Sequence, residues 1–404
     1  MKEMLYLSAK EAAKELDVSL TTLYAYVSRG LVRSEAGSDP RLRRYSKEDV
    51  LALKQRKELR RNPAKAAEAA LDWGTPVLTS EICLISEGNL YYRGQNVVDL
   101  ANNLSFEQVA NLIWLKDANL PFAEARTNLY PERLAKIHEQ LPGLSFIESF
   151  QVLVPLAASF DPAGYDLKPT TVAGTGAQIL RLFAAIIAKG KSSKDTLAET
   201  LQKGWGVKHK TAAKLINAAL ILCADHELNA STFTARCVAS TGANPYLVVA
   251  AGLAALQGYK HGGQSEQVEM LFKEIQKPIQ ARSVLVNRLR RGEKIPGFGH
   301  SLYPEGDPRA IVLIKLAKEI APTSEAVALE QAIAQEMLSL TNELPNLDTG
   351  LATLSQALAL PAGAAITLFA IGRAVGWIGH AIEEYESNRL IRPRAKYIGI
   401  QPNN

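Results

Sequence analysis

From about residue 76 onward, apolar residues return every three or four positions in Ala- and Leu-rich runs, clearest over 212–222, 246–256, 326–340 and 364–386. A chain patterned in this way folds as a mostly α protein. Only 81–85 and 89–92 read as strand, with Glu87-Gly88-Asn89 as the turn between them, and an amphipathic helix starts near Ser105-Phe106-Glu107. With 404 residues and 47% hydrophobic content, a substantial core forms and two or three structural units are expected. Disordered and fibrous classes are excluded.

Cys83, Cys223 and Cys237 lie far apart without CxxC spacing, so the expectation is no disulfide framework, no metal site and a reducing compartment. The first 16 residues carry charges every few positions, and no run of about 18 uncharged apolar residues has membrane-spanning flanks. A soluble, cytoplasmic protein with no membrane partner is expected. The net charge of +5 is localised: residues 1–62 hold 14 Lys and Arg against 9 Asp and Glu, and the remainder is balanced at 32 against 32.

Within that basic head, Ser8-Ala9-Lys10-Glu11 is a capping-box pattern opening a short helix. Asp17-Val18 turns the chain, Ser19 caps a second helix, and Gly30 ends it. Gly37-Ser38-Asp39-Pro40 and Arg41-Leu42-Arg43-Arg44-Tyr45 read as a basic hairpin, and Ser46-Lys47-Glu48-Asp49 opens a helix through Arg61. This succession over 1–62 resembles the winged helix-turn-helix of excisionases and MerR-type regulators. The resemblance implies a second helix directed at the DNA major groove, with Thr21, Thr22, Tyr24 and Arg29 facing it. A head retained only for subunit contacts is the alternative. Residues 63–75 are rich in helix formers and read as a helical linker.

Of six histidines, His226, His261 and His300 stand in short polar or glycine-rich settings. Flanking glycines let a backbone approach a ligand closely, and an imidazole near its ordinary pKa of ~6.5 exchanges protons at neutral pH.

Three motifs surround these histidines, Ala224-Asp-His-Glu-Leu-Asn-Ala-Ser-Thr232, Lys260-His-Gly-Gly263 and Pro296-Gly-Phe-Gly-His300 with Gly306-Asp-Pro-Arg309, and a fourth follows them, Gly372-Arg-Ala-Val-Gly-Trp-Ile378 with Arg392-Pro-Arg394. Together and in this order they resemble the citrate synthase family. The resemblance implies a two-domain, all-helical fold: a large domain over 76–256 and 346–404, and a small domain over 257–345 that closes on substrates. It implies condensation of acetyl-CoA or propionyl-CoA with oxaloacetate to citrate or 2-methylcitrate, with CoA as product and no tightly bound cofactor. Asp348 is then the base, His261 the donor to the enolate oxygen, and His300 the donor to the 2-oxo carbonyl. His226, Arg309, Arg373 and Arg392 bind oxaloacetate, Arg392 from the neighbouring subunit of a homodimer or dimer-based oligomer. Lys294, Gly297, Phe298 and Gly299 are expected at CoA, with Arg291 a further basic candidate.

This sequence departs from the family around the base. Pro345-Asn-Leu-Asp-Thr-Gly-Leu351 keeps Asn346 and Asp348 but lacks the family's aromatic pair, which suggests an acyl pocket that is enlarged or altered in polarity and accepts a longer acyl-CoA such as propionyl-CoA. Ser301-Leu302 also replaces the Arg-Val common after the third histidine. Two other functions fit the same residues: citryl-CoA lyase, and a DNA-binding metabolite sensor built on a citrate synthase body.

Overall fold

A computed structural model describes residues 6–36, 43–47, 49–51, 53–54, 78–124, 130, 132–190, 195–395 and 397–401. The chain divides into two compact units, Met1–Thr79 with Pro393–Asn404, and Ser80–Arg392.

The first unit is a small α/β module. Helices Ala9–Glu15 and Leu20–Ser28 both begin on serine caps. At the first, Ser8 accepts from Glu11 N–H while the Glu11 carboxylate accepts from Ser8 N–H, so two otherwise unpaired helix-end donors are satisfied. Gly30, at φ +71°, turns the chain out of the second helix. Strands β1 (Tyr6–Ser8), β2 (Ser34–Ala36) and β3 (Arg43–Ser46) form an antiparallel sheet in the order β1-β3-β2. Ala12, Leu16, Leu23, Val32, Tyr45 and Val50 close a core beneath them. Arg33 joins Asp49 through two side-chain hydrogen bonds of 2.9 Å. The expected wing is therefore present as the β2–β3 pair. Its tip at 37–42, the helix beyond residue 54 and the linker at 63–75 lie outside the described residues.

The second unit opens with the antiparallel sheet β4 (Cys83–Ser86), β5 (Asn89–Tyr92) and β6 (Gln95–Asn96), and is helical thereafter. Its main core surrounds the helix Ala364–Ser387, which packs against Pro169–Ile187, Ala212–Cys223, Ala230–Ala239 and Pro245–Leu256. Small residues allow these close crossings. A Cβ on Gly252 would lie 2.5 Å from the Trp377 ring, and one on Gly372 would lie 2.6 Å from the Leu220 carbonyl oxygen. A second, smaller core gathers Val268, Phe272, Leu285, Phe298, Ile333 and Met337. Helices Pro169–Ile187 and Ala364–Ser387 have the length and apolar composition of membrane spans, but both are buried within this unit.

Candidate active site

His226 is held by the segment that follows the helix Ala212–Cys223. Tyr92 Oη accepts from Asp225 N–H at 3.0 Å and lies 3.1 and 3.0 Å from the carbonyl oxygens of Ile221 and Asp225. Glu227, at φ +53°, then turns the chain so that Asn229 can cap the helix Ala230–Ala239. His226 Nε2 lies 2.9 Å from Tyr303 Oη. Burial pushes its pKa well down, and the positive charges of Arg309 and Arg373 act in the same direction.

His261 stands where the Pro245–Leu256 helix gives way to Gly263–Ile275, at a turn too tight for a side chain on Gly262, whose Cβ would meet Leu256 at 2.4 Å. Its Nε2 lies 2.8 Å from Ser231 Oγ, which also accepts from Trp377 Nε1–H at 3.2 Å and donates to Asn229 Oδ1 at 2.8 Å. Burial, reinforced by Arg373, lowers the His261 pKa to about 4, so the ring is neutral at pH 7.

The loop carrying His300 is fastened to the segment carrying Asp348. Gly297 O accepts from Asn346 N–H at 2.9 Å and from the Thr349 hydroxyl at 2.7 Å, while Gly299 N–H donates to Leu344 O at 2.9 Å. Gly297 and Gly299 adopt φ of +84° and +73°, and a Cβ on Gly297 would lie 2.3 Å from Thr349 Oγ1. His300 Nδ1 accepts from Leu302 N–H at 3.2 Å, which leaves the proton of the neutral ring on Nε2 as a donor. Burial and then Arg309 lower its pKa. The rings of His226 and His300 lie 5.3 Å apart.

Asp348 sits in the first turn of Leu347–Ala357, where Asn346 Oδ1 accepts its N–H at 3.1 Å. Ser265 Oγ donates to Asp348 Oδ1 at 2.5 Å. Burial raises the Asp348 pKa to about 6, against the opposing pull of that hydrogen bond and of Arg309. This is the range in which a carboxylate both ionises at neutral pH and retains appreciable basicity.

Two arginines are buried in the site. Arg309 is gripped by Asp307 through Nε and Nη2 at 2.9 and 2.8 Å, and Asp307 also accepts from Leu347 N–H at 3.0 Å. Arg373 donates from Nε to Cys223 O at 2.8 Å, but its Nη1 is buried without a hydrogen-bond partner among the described residues. Such an N–H is expensive to leave unpaired and suits an anionic oxygen.

His226, His261, His300, Asp348, Arg309 and Arg373 thus share one neighbourhood, linked by ring contacts and mutual charge effects. Arg392 is not part of it: the residue is exposed and has no ion pair or hydrogen bond among the described residues. Lys294 is also exposed, and Arg291 is taken up by Glu293 at 2.5 Å. The Phe298 side chain belongs to the second core, which leaves its main chain for a ligand.

Where the aromatic pair is missing beside Asp348, Thr349 is buried with its hydroxyl on Gly297 O, and a Cβ on Gly350 would lie 3.1 Å from Ala310 and Leu313. In the head, the Thr22 hydroxyl lies 2.9 Å from Ser19 Oγ and belongs to the helix cap, while Thr21, Tyr24 and Arg29 are exposed.

Ser231 and Asp307 stand inside the motifs but had no role assigned from sequence, and Ser265 and Tyr303 were missed altogether; the importance of all four comes from what they touch. Sequence reasoning also overlooked a buried polar cluster in which Arg236 pairs with Glu384 at 2.8 Å and His380 Nε2 lies 3.2 Å from Asp225 Oδ2. The spacing of His380, Glu383 and Glu384 along one turn of an apolar helix was a signal that could have found it.

The family described as citrate synthase, C-terminal domain matches residues 70–394, and a helix-turn-helix domain family matches residues 6–58. Citrate synthase 2 of Bacillus subtilis is 31% identical over 353 residues, covering 81% of this chain and 94% of that protein. A 2-methylcitrate synthase of Shewanella oneidensis is 29% identical, covering 79% and 91%. Among solved structures, the citrate synthase of Thermoplasma acidophilum in ternary complex with carboxymethyl coenzyme A and oxaloacetate superposes with a TM-score of 0.73 at 26% identity, covering 83% of this chain and 97% of that one. The Thermotoga maritima citrate synthase gives a TM-score of 0.70 at 28% identity, covering 82% and 96%.

Proposed function

The chain belongs to the citrate synthase family, and from that premise we propose that it condenses an acyl-CoA with oxaloacetate, releasing CoA, with Asp348 as the base. The observation that carries the reading is the buried, unpartnered Arg373 Nη1 among neutral imidazoles, a setting suited to a carboxylate-bearing 2-oxo acid.

In this reading Asp348 removes a proton from the carbon next to the thioester, and the charge that develops on the thioester oxygen is met by His261. Ser231 engages His261 Nε2, so Nδ1 is the nitrogen left for that oxygen. Nδ1 of the neutral ring carries a hydrogen when the Ser231 hydroxyl turns to donate to Nε2. His300 polarises the 2-oxo carbonyl through Nε2–H, the enol carbon attacks it, and the new alkoxide takes up a proton; water then cleaves the thioester of the citryl-CoA-type product, giving the free acid and CoA. Arg309 and Arg373 hold the carboxylates, with His226 alongside. Main-chain groups of 297–299 and the exposed Lys294 are assigned to CoA. The lobe assigned to close over the substrates spans 257–345, a reading supported by the smaller core, most of whose residues fall in that span.

The test is CoA-thiol release by the purified protein with oxaloacetate and either acetyl-CoA or propionyl-CoA. Release that disappears in Asp348→Ala is expected, and the better donor separates citrate from 2-methylcitrate. Absence of release with both donors, combined with cleavage of citryl-CoA, would replace this reading with the lyase.

Two finer assignments accompany it. The exposed, unpaired Arg392 is assigned to the active site of a second copy in a homodimer. The head is assigned to DNA, on the basis of its helix-turn-helix match and the exposed Thr21, Tyr24 and Arg29 on or next to the capped second helix.

A further inference from the structure

We propose that Tyr303 is a positioning residue of the 2-oxo acid subsite, its hydroxyl orienting His226 and its ring backing His300. The inference rests on the reading of that site given above.

Tyr303 is only 2% exposed, although it stands on a short turn beyond the glycine loop, where its N–H donates to His300 O at 3.0 Å. One side chain touches three groups of the site. Its hydroxyl lies 2.9 Å from His226 Nε2, its ring centroid lies 4.8 Å from that of His300 at an interplanar angle of 41°, and the Arg309 guanidinium lies 5.4 Å from it. These three groups come from separate parts of the chain. His226 is fixed from behind by the Tyr92 clamp, whereas His300 and Arg309 flank Tyr303 in sequence.

The chemistry suits tyrosine. Burial, the leading influence, keeps the phenol protonated beyond neutral pH, so it offers His226 an O–H. A neutral imidazole with one nitrogen engaged by a fixed donor loses the freedom to flip, and its remaining edge meets the substrate in one orientation. Phenylalanine would retain the packing on His300 and lose this hold.

The experiment compares the wild-type full chain with Tyr303→Phe. The expected result is a rise in KM for oxaloacetate of roughly 5–10-fold, the worth of one hydrogen bond. KM for the acyl-CoA should stay the same, the thermal unfolding midpoint should fall by only about the few degrees that one buried hydrogen bond is worth, and the side-chain 15N resonances of His226 should shift in the unliganded protein. Tyr303→Leu, which also removes the ring from His300, should lower kcat in addition. Unchanged His226 resonances, an unchanged oxaloacetate KM, or an equal rise in both KM values would overturn the proposal. If wild-type protein neither releases CoA with oxaloacetate nor binds it in calorimetry, the underlying reading of the site fails and takes this proposal with it. Normal wild-type turnover with an indifferent Tyr303→Phe overturns the proposal alone.

Discussion

Asp348 shows how a single side chain acquires its chemistry. Its place in the first turn of a helix and its bond from Ser265 both favour the carboxylate, yet burial outweighs them and raises the pKa to about 6. A base works ionised, so kcat/KM should fall as pH drops through about 6. Ser265→Ala removes an interaction that stabilises the ionised form, and should therefore move this acid limb upward by roughly half to one pH unit. A pH–rate profile with the limb unmoved, or moved downward, would show that the hydroxyl does not act on the base. The histidines follow the opposite sign. Burial and neighbouring arginines lower their pKa values, so they stay neutral where Asp348 is charged, and the donors and the base coexist above pH 6.

At the scale of elements, the helix Ala364–Ser387 organises the site by passing very close to the segments that carry it. Gly376 faces the 224–226 turn, where a Cβ would lie 2.3 Å from Asp225 Oδ2 and 2.4 Å from Ala224 O. Helix propensity alone would favour alanine there, so the close approach accounts for glycine. Gly376→Ala should force that turn outward, costing about 1–3 kcal/mol of stability by overpacking. Because His226 is the next residue, kcat/KM should also fall roughly 10–100-fold. Denaturant titration and steady-state kinetics on the same preparation check both effects. A variant with wild-type stability and rate would mean that the helix yields more easily than its packing implies.

For the whole molecule, the proposed sharing of sites between subunits and the proposed DNA contact each have a direct measurement. Arg392→Ala and Asp348→Ala proteins, each inactive alone, should regain roughly a quarter of wild-type activity when dissociated and reassembled in equal amounts. A mixed dimer has one site with both residues intact. Recovery of nothing would confine Arg392 to its own subunit. For the head, the full chain should bind duplex DNA with an affinity that falls steeply as salt rises, and Arg29→Ala should flatten the slope. Binding that is absent, or indifferent to salt, would leave the head as a structural module.

The sequence by itself determined the elements and the identity of most chemical groups. Serine caps at positions 8, 19 and 105, apolar spacing over 212–222 and 364–386, and glycine around His261 and His300 act within a few residues, so local pattern suffices to read them. Those groups could be ordered into motifs because the chemistry requires particular residue types. Tertiary structure alone decided what each group does. Ser265 meets Asp348 across 83 positions and Tyr303 meets His226 across 77, while Thr349 reaches Gly297 O and Gly350 lets Ala310 and Leu313 come close. Burial, a missing hydrogen-bond partner and a shifted pKa are properties of surroundings assembled from distant segments, and no local pattern encodes them.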